Sequence, residues 1–358
     1  MIKRVLYIVN IVFVLLLLGV YVSMRVSPEI FAELSLLSYI YPLLLVVNLL
    51  FCVLWLFFKW RYLFVPLAVV LIGANFIPRF IGLNSANDNL DEDCLRVMTY
   101  NVKGFTQNAE EDREIRIMNK DSILSIIERY DPDVVCLQEY ASVKKSESSF
   151  HYVMTKKLGY KYFFAPYNYK DYVNGSVIYS KYEISTSGVL FPMDKEFHQK
   201  TYADIRFGDE KFRVYNVHLD SYMLSEEEKA EVESLKTGEI TSKQTRKSVV
   251  EKLLETNKVQ AKEVKELTSV IEQTEGDFIL LGDFNATPYS YTYQVLTKNM
   301  KDSFVEKGQG FSGTYNYFLP KFRIDYVLVS EQINVEGYQQ EVFDYSDHNP
   351  VVVDFKFD

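Results

Sequence analysis

The sequence predicts a mixed α/β domain of layered sheets carried behind an N-terminal helical membrane segment. Three observations predict it: long apolar runs confined to the first eighty residues, short β-rich runs alternating with helical periodicity after Leu95, and polar residues recurring at the ends of those β-rich runs. The chain has 358 residues, 48% hydrophobic and 24% charged, which excludes disorder and a disulfide-built miniprotein. Its formal charge of −9 is unevenly placed, with a net of +4 on Met1 to Leu83 and −13 on the remainder. A domain that acidic is not a general duplex-binding surface, because affinity for nucleic acid is built mostly from cations on phosphates.

Val5 to Val22, Leu36 to Phe58 and Tyr62 to about Phe80 each approach the ~20 residues that a helix needs to cross a ~30 Å hydrocarbon core. No acid or base interrupts them before Arg79. A charge at the centre of a spanning helix costs roughly 2.5 to 3.5 kcal/mol, so three such runs point to lipid rather than to a soluble core. Lys3-Arg4 ahead of a Leu-rich run also fits a cleaved signal peptide, but no small-x-small pattern follows Gly19, which favours a retained anchor. Lys3, Arg4, Lys59 and Arg61 all prefer the cytoplasmic side. Three crossings then predict a multi-pass protein of the cell (inner) membrane with the chain after the third run on the extracytoplasmic, periplasmic side. The third run contains Pro66, Gly73, Asn75 and Pro78, and the side reverses if it does not span. The expected organisation is a membrane anchor of about three helices at 1–82, a polar linker at 83–94 and a layered α/β domain at 95–358.

Cys52 lies in an apolar run, leaving Cys94 and Cys136. If the strands that carry them are neighbours with Asn101 level with Glu139, the two thiols are offset by about four residues, or ~13 Å, too far for a disulfide. Free thiols are expected.

Strands are expected at Leu95 to Asn101, Val134 to Gln138, Ser176 to Tyr179, Tyr202 to Phe207, Phe212 to Leu219, Phe278 to Leu281, Ile324 to Val329 and Val351 to Phe357. Helices are expected at Arg113 to Tyr130, with Ile115, Met118, Ile123, Ile126 and Ile127 near a 3.6 period, and at Lys243 to Glu272, with a stripe of Val249, Val250, Leu253 and Leu254. The acidic Ser225 to Lys236 stretch reads as a solvated helix or a lid. No phosphate-binding glycine loop and no G-x-S-x-G elbow occurs.

The chemistry is read from six strand ends. Asn101 follows Val97-Met98-Thr99-Tyr100, Glu139 follows Val134 to Gln138, and His218 follows Val214 to Val217. Asp283 and Asn285 follow Ile279 to Gly282, Asp325 lies in Arg323-Ile324-Asp325-Tyr326, and Asp347-His348 precede Asn349-Pro350 and the last strand. Singly, each is an ordinary cap, Asx-turn or strand histidine. Together, carboxylates, carboxamides and imidazoles at one sheet edge suit a hard divalent cation and a phosphate.

The ordered series Thr99-Tyr100-Asn101-Val102, Leu137-Gln138-Glu139, Asn216-Val217-His218-Leu219, Gly282-Asp283-Phe284-Asn285, Arg323-Ile324-Asp325-Tyr326 and Ser346-Asp347-His348-Asn349-Pro350 resembles the endonuclease/exonuclease/phosphatase superfamily of DNase I-like metal-dependent phosphoesterases. The resemblance covers about Leu95 to Phe357; membrane-anchored bacterial members have a similar layout. It implies a four-layered α/β sandwich with two facing sheets. It further implies that Glu139, Asn101 and Asp347 hold Mg²⁺, with Mn²⁺ as a substitute. By the same resemblance Asp283, Asn285, His348, Asp325 and His218 are catalytic: Asp283 for the attacking water, Asn285 to hold it and the phosphate in line, His348 positioned by Asp325, and His218 on the other side of the phosphate. Whether Asp283 or His348 takes the proton stays open, and the pair is assigned to proton transfer jointly. Members that repair abasic DNA carry an acid where this chain has Lys103, which argues for one metal and against that activity.

The expected function is Mg-dependent hydrolysis of phosphodiesters, either as a nuclease or as a phosphodiesterase of phospholipid or sphingolipid head groups. The alternative is a phosphomonoesterase of inositol-like or other small phosphates. A catalytically inactive binding module is disfavoured because every motif position holds a competent residue. The expected partners are the phosphoester, nucleic acid or lipid head group, and the lipid bilayer; no protein partner is predictable. Lys144, Lys145 and Lys170 are candidates for a local basic groove, and the Tyr160 to Lys170 run of aromatics and bases reads either as a strand with a packed loop or as a stacking surface.

Overall fold

The computed structural model describes residues 2–84, 93–106, 113–191, 199–222, 224–225, 228, 243–316 and 321–357. They fall into two compact units. One holds Met1–Phe80, Ser221–Ser269 and Ala286–Lys298; the other holds Ile81–Asp220, Val270–Asn285 and Asn299–Asp358.

The second unit is built on strands β1 (Ile81–Leu83), β2 (Leu95–Asn101), β3 (Val134–Val143), β4 (Tyr162–Phe164), β5 (Tyr167–Asn168), β6 (Tyr172–Ser180), β7 (Ile184–Val189), β8 (Lys200–Phe207), β9 (Glu210–His218), β10 (Asp277–Asp283), β11 (Lys301–Asp302), β12 (Gln309–Phe311), β13 (Asp325–Val329), β14 (Asn334–Gln340) and β15 (Val351–Lys356). One sheet has the order β11-β13-β10-β9-β8-β7, the other β14-β15-β2-β3-β6-β4 with β5 also on β6. Each has one parallel pair near its middle, β9 with β10 and β2 with β3.

Alternation explains why the central strands read as unbroken apolar runs. In β2, Leu95 and Val97 join the core shared with Val214, Ile279, Leu281 and Val327 of the other sheet, while Met98 and Tyr100 join a second core with Ile123, Ile126 and Ile127 of the Arg113–Tyr130 helix. Both faces of β2 are therefore covered, and at roughly 1.5 to 3 kcal/mol for each large apolar side chain buried these cores dominate the stability. Only the second half of the helical stripe takes part: Ile115 and Met118 are exposed. Among the strands that composition did not flag, β7 and β14 are edge strands, and neither is a continuous apolar run. In the Tyr160 to Lys170 run, Tyr160 is buried and its hydroxyl donates to the Pro132 carbonyl at 2.7 Å. The run supplies β4 and β5 and leaves Tyr169 exposed.

Thr99 is level with Cys136, which places Asn101 beside Gln138, one residue short of the expected partner. Cys136 is a buried free thiol. The first residues of the expected linker are structured: Ile81 to Leu83 pair antiparallel with Phe311 to Gln309, and the Asn84 carboxamide donates to the Val305 and Gly308 carbonyls.

In the first unit, Ile2–Ser23 and Ala32–Phe58 are helical stretches long and apolar enough to cross a membrane. The third apolar run differs from expectation. It forms a nine-residue helix, Phe64–Ile72, between 3-10 turns at Trp60–Tyr62 and Ala74–Arg79, so it is not one continuous spanning helix. The break falls at Gly73, where a Cβ would meet the Tyr21 ring, and Pro78 continues it. The broken run still follows the first helix along its length, Tyr62 stacking on Tyr7 at 4.2 Å and Phe76 packing on Tyr21 at 5.3 Å.

The same unit takes in segments expected to belong to the catalytic region. In the Lys243–Ile271 helix, Asn257 donates to Ser35 Oγ at 2.8 Å and its Oδ1 lies 2.9 Å from the Tyr39 hydroxyl; Lys265 pairs with Glu29. Its buried stripe runs through Asn257, Gln260, Ala261, Val264, Leu267 and Ile271, whereas Val250 is exposed. Two of these six are polar, so apolar periodicity misplaced the stripe. Of Ser225 to Lys236 only Ser225 and Glu228 lie among the described residues.

Gly282 sits at φ +130°, and a Cβ there would lie 2.0 Å from the Val217 carbonyl oxygen of β9. Gly282→Ala is expected to lower the calorimetric Tm of the purified full chain by at least about 5 °C, because it adds backbone strain to a clash with main chain. An unchanged Tm would contradict this close strand approach.

Candidate active site

The site is set by strand register. Asp283, the last residue of β10, is level with His218 at the end of β9 and with Asp325 at the start of β13, which puts one residue from each of three strands in a row. In the facing sheet Asn101 ends β2. Next to it β3 changes register between Leu137 and Tyr140, and Glu139 takes φ +49°. This bulge inserts one extra residue and re-aims the Glu139 side chain out of the pleat. Asn285 is also left-handed, at φ +48°. Such conformations cost energy in a residue with a Cβ and concentrate where geometry is functional.

At this end of the sandwich polar contacts replace the apolar core. Gln138 Nε2 donates to Thr99 Oγ1 at 3.0 Å and across the sheets to Asn216 Oδ1 at 2.8 Å. One step further out, Asn101 Nδ2 donates to Glu139 Oε1 and to Asp283 Oδ2, both at 3.0 Å. Asp283 Oδ2 faces both imidazoles, 3.6 Å from His348 Nε2 and 3.7 Å from His218 Nε2; His218 Nε2 is also 3.8 Å from Glu139 Oε1. His348 Nδ1 lies 2.9 and 3.1 Å from the two Asp325 oxygens. Asp347 Oδ2 is held by Lys103 Nζ at 2.6 Å.

The structure thus brings together Asn101, Glu139, His218, Asp283, Asp325, Asp347 and His348. Asn285 joins through its backbone, its N–H donating to Asp283 Oδ1 at 2.9 Å while its side-chain Nδ2 donates to the Leu219 carbonyl at 3.1 Å. Of the supporting residues, Thr314 and Tyr315 went unmarked in the sequence. Thr314 Oγ1 accepts from the Ile324 and Asp325 N–H groups, the Tyr315 ring packs on His348 at 4.9 Å, and Ser346 Oγ donates to the Asn101 carbonyl. Thr314 and Tyr315 lie outside any strand pattern, and only tertiary contact reveals them.

Burial pushes the Asp283 carboxyl up to about 7, with the Asp325 charge adding to the shift and His348 and Asn101 opposing it. For His348, burial disfavours the imidazolium, but the carboxylates of Asp325 and Asp283 outweigh it and raise the ring to about 10. The proton therefore rests on His348.

Two sets of residues offer metal ligands. Ligand atoms of Asp283, Asp325 and His348 lie within 4.8 Å of one another. That group, however, is already joined by the His348–Asp325 hydrogen bond. Glu139, about one-third exposed, and Asp347, whose buried Oδ1 has no hydrogen-bond partner, present oxygens of the kind a hard dication takes. Asn101 Oδ1 accepts the Lys103 N–H at 3.0 Å and keeps a second lone pair. The donor chemistry fits an oxygen-ligated dication.

Two facing mixed sheets with acids, amides and imidazoles gathered at one end define a phosphoester hydrolase of the DNase I-like sandwich class. A family model described as the Endonuclease/Exonuclease/phosphatase family matches residues 98–348, and the chain belongs to that family. A second model, a domain of unknown function, matches residues 3–80. Among solved structures, an endonuclease/exonuclease/phosphatase from Bacteroides vulgatus is 18% identical, with 74% of this chain and 99% of that one covered at a TM-score of 0.50, which shows the fold. The human Nocturnin catalytic domain with bound sulfate anion is 19% identical, covering 75% and 96% at 0.49. A mannosyl-6-phosphatase from Bacteroides thetaiotaomicron is 19% identical, covering 74% and 100% at 0.48. None of the curated proteins compared with the chain matches it.

Asp325→Asn removes the carboxylate that contributes most, ahead of Asp283 and Asp347, to favouring the imidazolium. In chelator-treated protein the His348 ring is expected to titrate at least about one unit lower in the variant than in the wild type, read from its imidazole proton resonances. Equal titration would remove Asp325 as the group that holds His348 cationic.

Proposed function

We propose that the protein is a membrane-anchored, Mg²⁺-dependent phosphodiesterase. The observation that carries the reading is the Asn101 carboxamide joining Glu139 and Asp283 across the two sheets, with both imidazoles facing the same Asp283 oxygen. Glu139 and Asp347, with Asn101 beside them, would hold Mg²⁺ or Mn²⁺, which when bound supplies Lewis-acid neutralisation of phosphoryl charge. Asp283 orients the attacking water and takes its proton as the new P–O bond forms and the ester P–O bond breaks. His348, positioned by Asp325, donates from Nε2 to a non-bridging oxygen, and His218 approaches the same phosphate from the opposite side. Asn285 holds the end of the Asp283 loop. Lys103 neutralises Asp347, which supports a single-metal site.

Two observations support a substrate at the membrane. Ile8, Val12 and Leu15 on the first helix and Leu43, Val46, Leu50 and Val53 on the second are exposed, an apolar surface that suits lipid. Only three residues separate Asn285 from Tyr289, whose ring stacks at 3.8 Å on Tyr41, the first residue of the Tyr41–Phe58 helix. Together with the net charge of −9 on residues 95–358, this favours a lipid head-group phosphodiester over duplex nucleic acid.

The full chain in nanodiscs with Mg²⁺, offered plasmid DNA, sphingomyelin, phosphatidylinositol and inositol phosphates separately, is expected to release product from lipid. Plasmid nicking alone would establish the nuclease reading, and phosphate release from inositol phosphates alone the phosphomonoesterase reading. Asp283→Ala and His348→Ala are each expected to lower turnover by roughly 10³-fold or more with the fold intact, and chelation to abolish it until Mg²⁺ or Mn²⁺ is restored. Near-normal turnover in either variant would remove the assignment.

The broken third run follows the first helix from Tyr7 to Tyr21, which supports three crossings and an extracytoplasmic catalytic domain. A reporter fused after Phe357 that requires export is then expected to be active; activity only from a cytoplasmic reporter would reverse the orientation.

A further inference from the structure

The chain leaves the site at Asn285 and enters the other compact unit at Ala286. Within that unit the segment after the Asp-Phe-Asn motif is clamped by side chains of the first eighty residues. The Tyr289 and Tyr41 rings stack at 3.8 Å with 28° between their planes, and both residues are buried. Arg79 donates from Nη1 to the Pro288 carbonyl at 3.0 Å and from Nη2 to Gln294 Oε1 at 3.3 Å, and its guanidinium lies over the Tyr293 ring at 4.8 Å. Ser290 Oγ caps the following short helix by accepting the Tyr293 N–H.

The link between clamp and site is short and stiff. Ala286 and Thr287 are buried, and Pro288 fixes its own φ and restricts the residue before it. Asn285 itself stands in the left-handed region, a conformation that persists only if the chain on both sides holds it. On the upstream side the hold is β10 and the Asp283 Oδ1 contact. On the downstream side Arg79 holds the Pro288 carbonyl and Tyr41 stacks on Tyr289.

We propose that Tyr41 and Arg79, residues of the membrane segment, are positioning residues for the active-site loop. They hold Pro288 and Tyr289 so that Asn285 keeps its left-handed turn and Asp283 stays aimed at the reacting phosphate. The anchor is then a working part of the enzyme, beyond its role as a tether. Neither residue touches the phosphate. The inference rests on the proposed role of the Asp283–Asn285 loop in hydrolysis.

The test uses the full chain in nanodiscs, with Tyr41→Leu, Tyr41→Phe, Arg79→Met and the wild type assayed on the panel substrate that the wild type turns over. Tyr41→Leu and Arg79→Met are expected to lower kcat at least ten-fold with KM within about two-fold of wild type and Tm within a few degrees. Tyr41→Phe keeps the stacked ring and is expected to restore wild-type kcat. In parallel, hydrogen exchange of the peptide covering Asp283 to Tyr289 is expected to quicken at least ten-fold in Tyr41→Leu and Arg79→Met, but not in Tyr41→Phe. Wild-type kcat and exchange in both disruptive variants would overturn the proposal, as would a loss in Tyr41→Phe equal to that in Tyr41→Leu. A wild type without turnover on any panel substrate counts against the hydrolase reading, and the exchange comparison then decides the positioning claim by itself.

Discussion

The structure turns on the burial of one carboxylate between two sheets. Asp283 is 1% exposed, and a carboxylate removed from water costs several kcal/mol unless donors and opposite charge surround it. Asn101 supplies the donor from the facing sheet, His348 supplies the charge, and Asp325 keeps that charge in place. Removing any of these leaves the others uncompensated, so the geometry of the site and the local stability of the fold are one problem. The polar layer of Gln138, Thr99 and Asn216 behind it marks where the apolar core stops and the site begins.

This constraint also accounts for the irregular backbone. An acid placed on a regular β3 would point along the pleat, into the sheet faces already occupied by Leu137 and Tyr140 in one core. The bulge at Glu139 takes it out of that alternation, and the left-handed turn at Asn285 carries the chain away directly after Asp283. Gly282 permits β10 to come close enough to β9 for Asp283 and His218 to share a row. Left-handed backbone at Glu139 and Asn285 thus shapes the site, and the regular strands behind them hold it.

The helical unit of the first eighty residues is more than three apolar rods. Its aromatic and polar residues, Tyr39, Tyr41 and Arg79, engage Tyr222, Asn257, Tyr289 and Gln294 far away in the chain. Tyr39 and Arg79 make directional hydrogen bonds and Tyr41 a ring stack, contacts that fix orientation better than apolar packing does. A segment read by composition as a tether is in this way joined to the stretch that follows the catalytic motif.

The sequence by itself determined the fold class, the family and the identity of the polar residues at the strand ends, because each depends on local pattern: alternation in β2, β3 and β10, and short motifs such as Gly282-Asp283-Phe284-Asn285. It also marked Lys103 as a departure, without showing that its ammonium lies on Asp347. Only the tertiary structure decided which groups touch, since Asn101 meets Asp283 across 182 positions of chain and Thr314 supports Asp325 from outside any strand. The same holds for the broken third helix, which a sum of hydropathies cannot distinguish from a straight one, and for the partly polar stripe of the Lys243–Ile271 helix. Hydrogen-bond partners distant in sequence have no periodic signature, and backbone breaks depend on the neighbour that fills them, as Tyr21 does at Gly73.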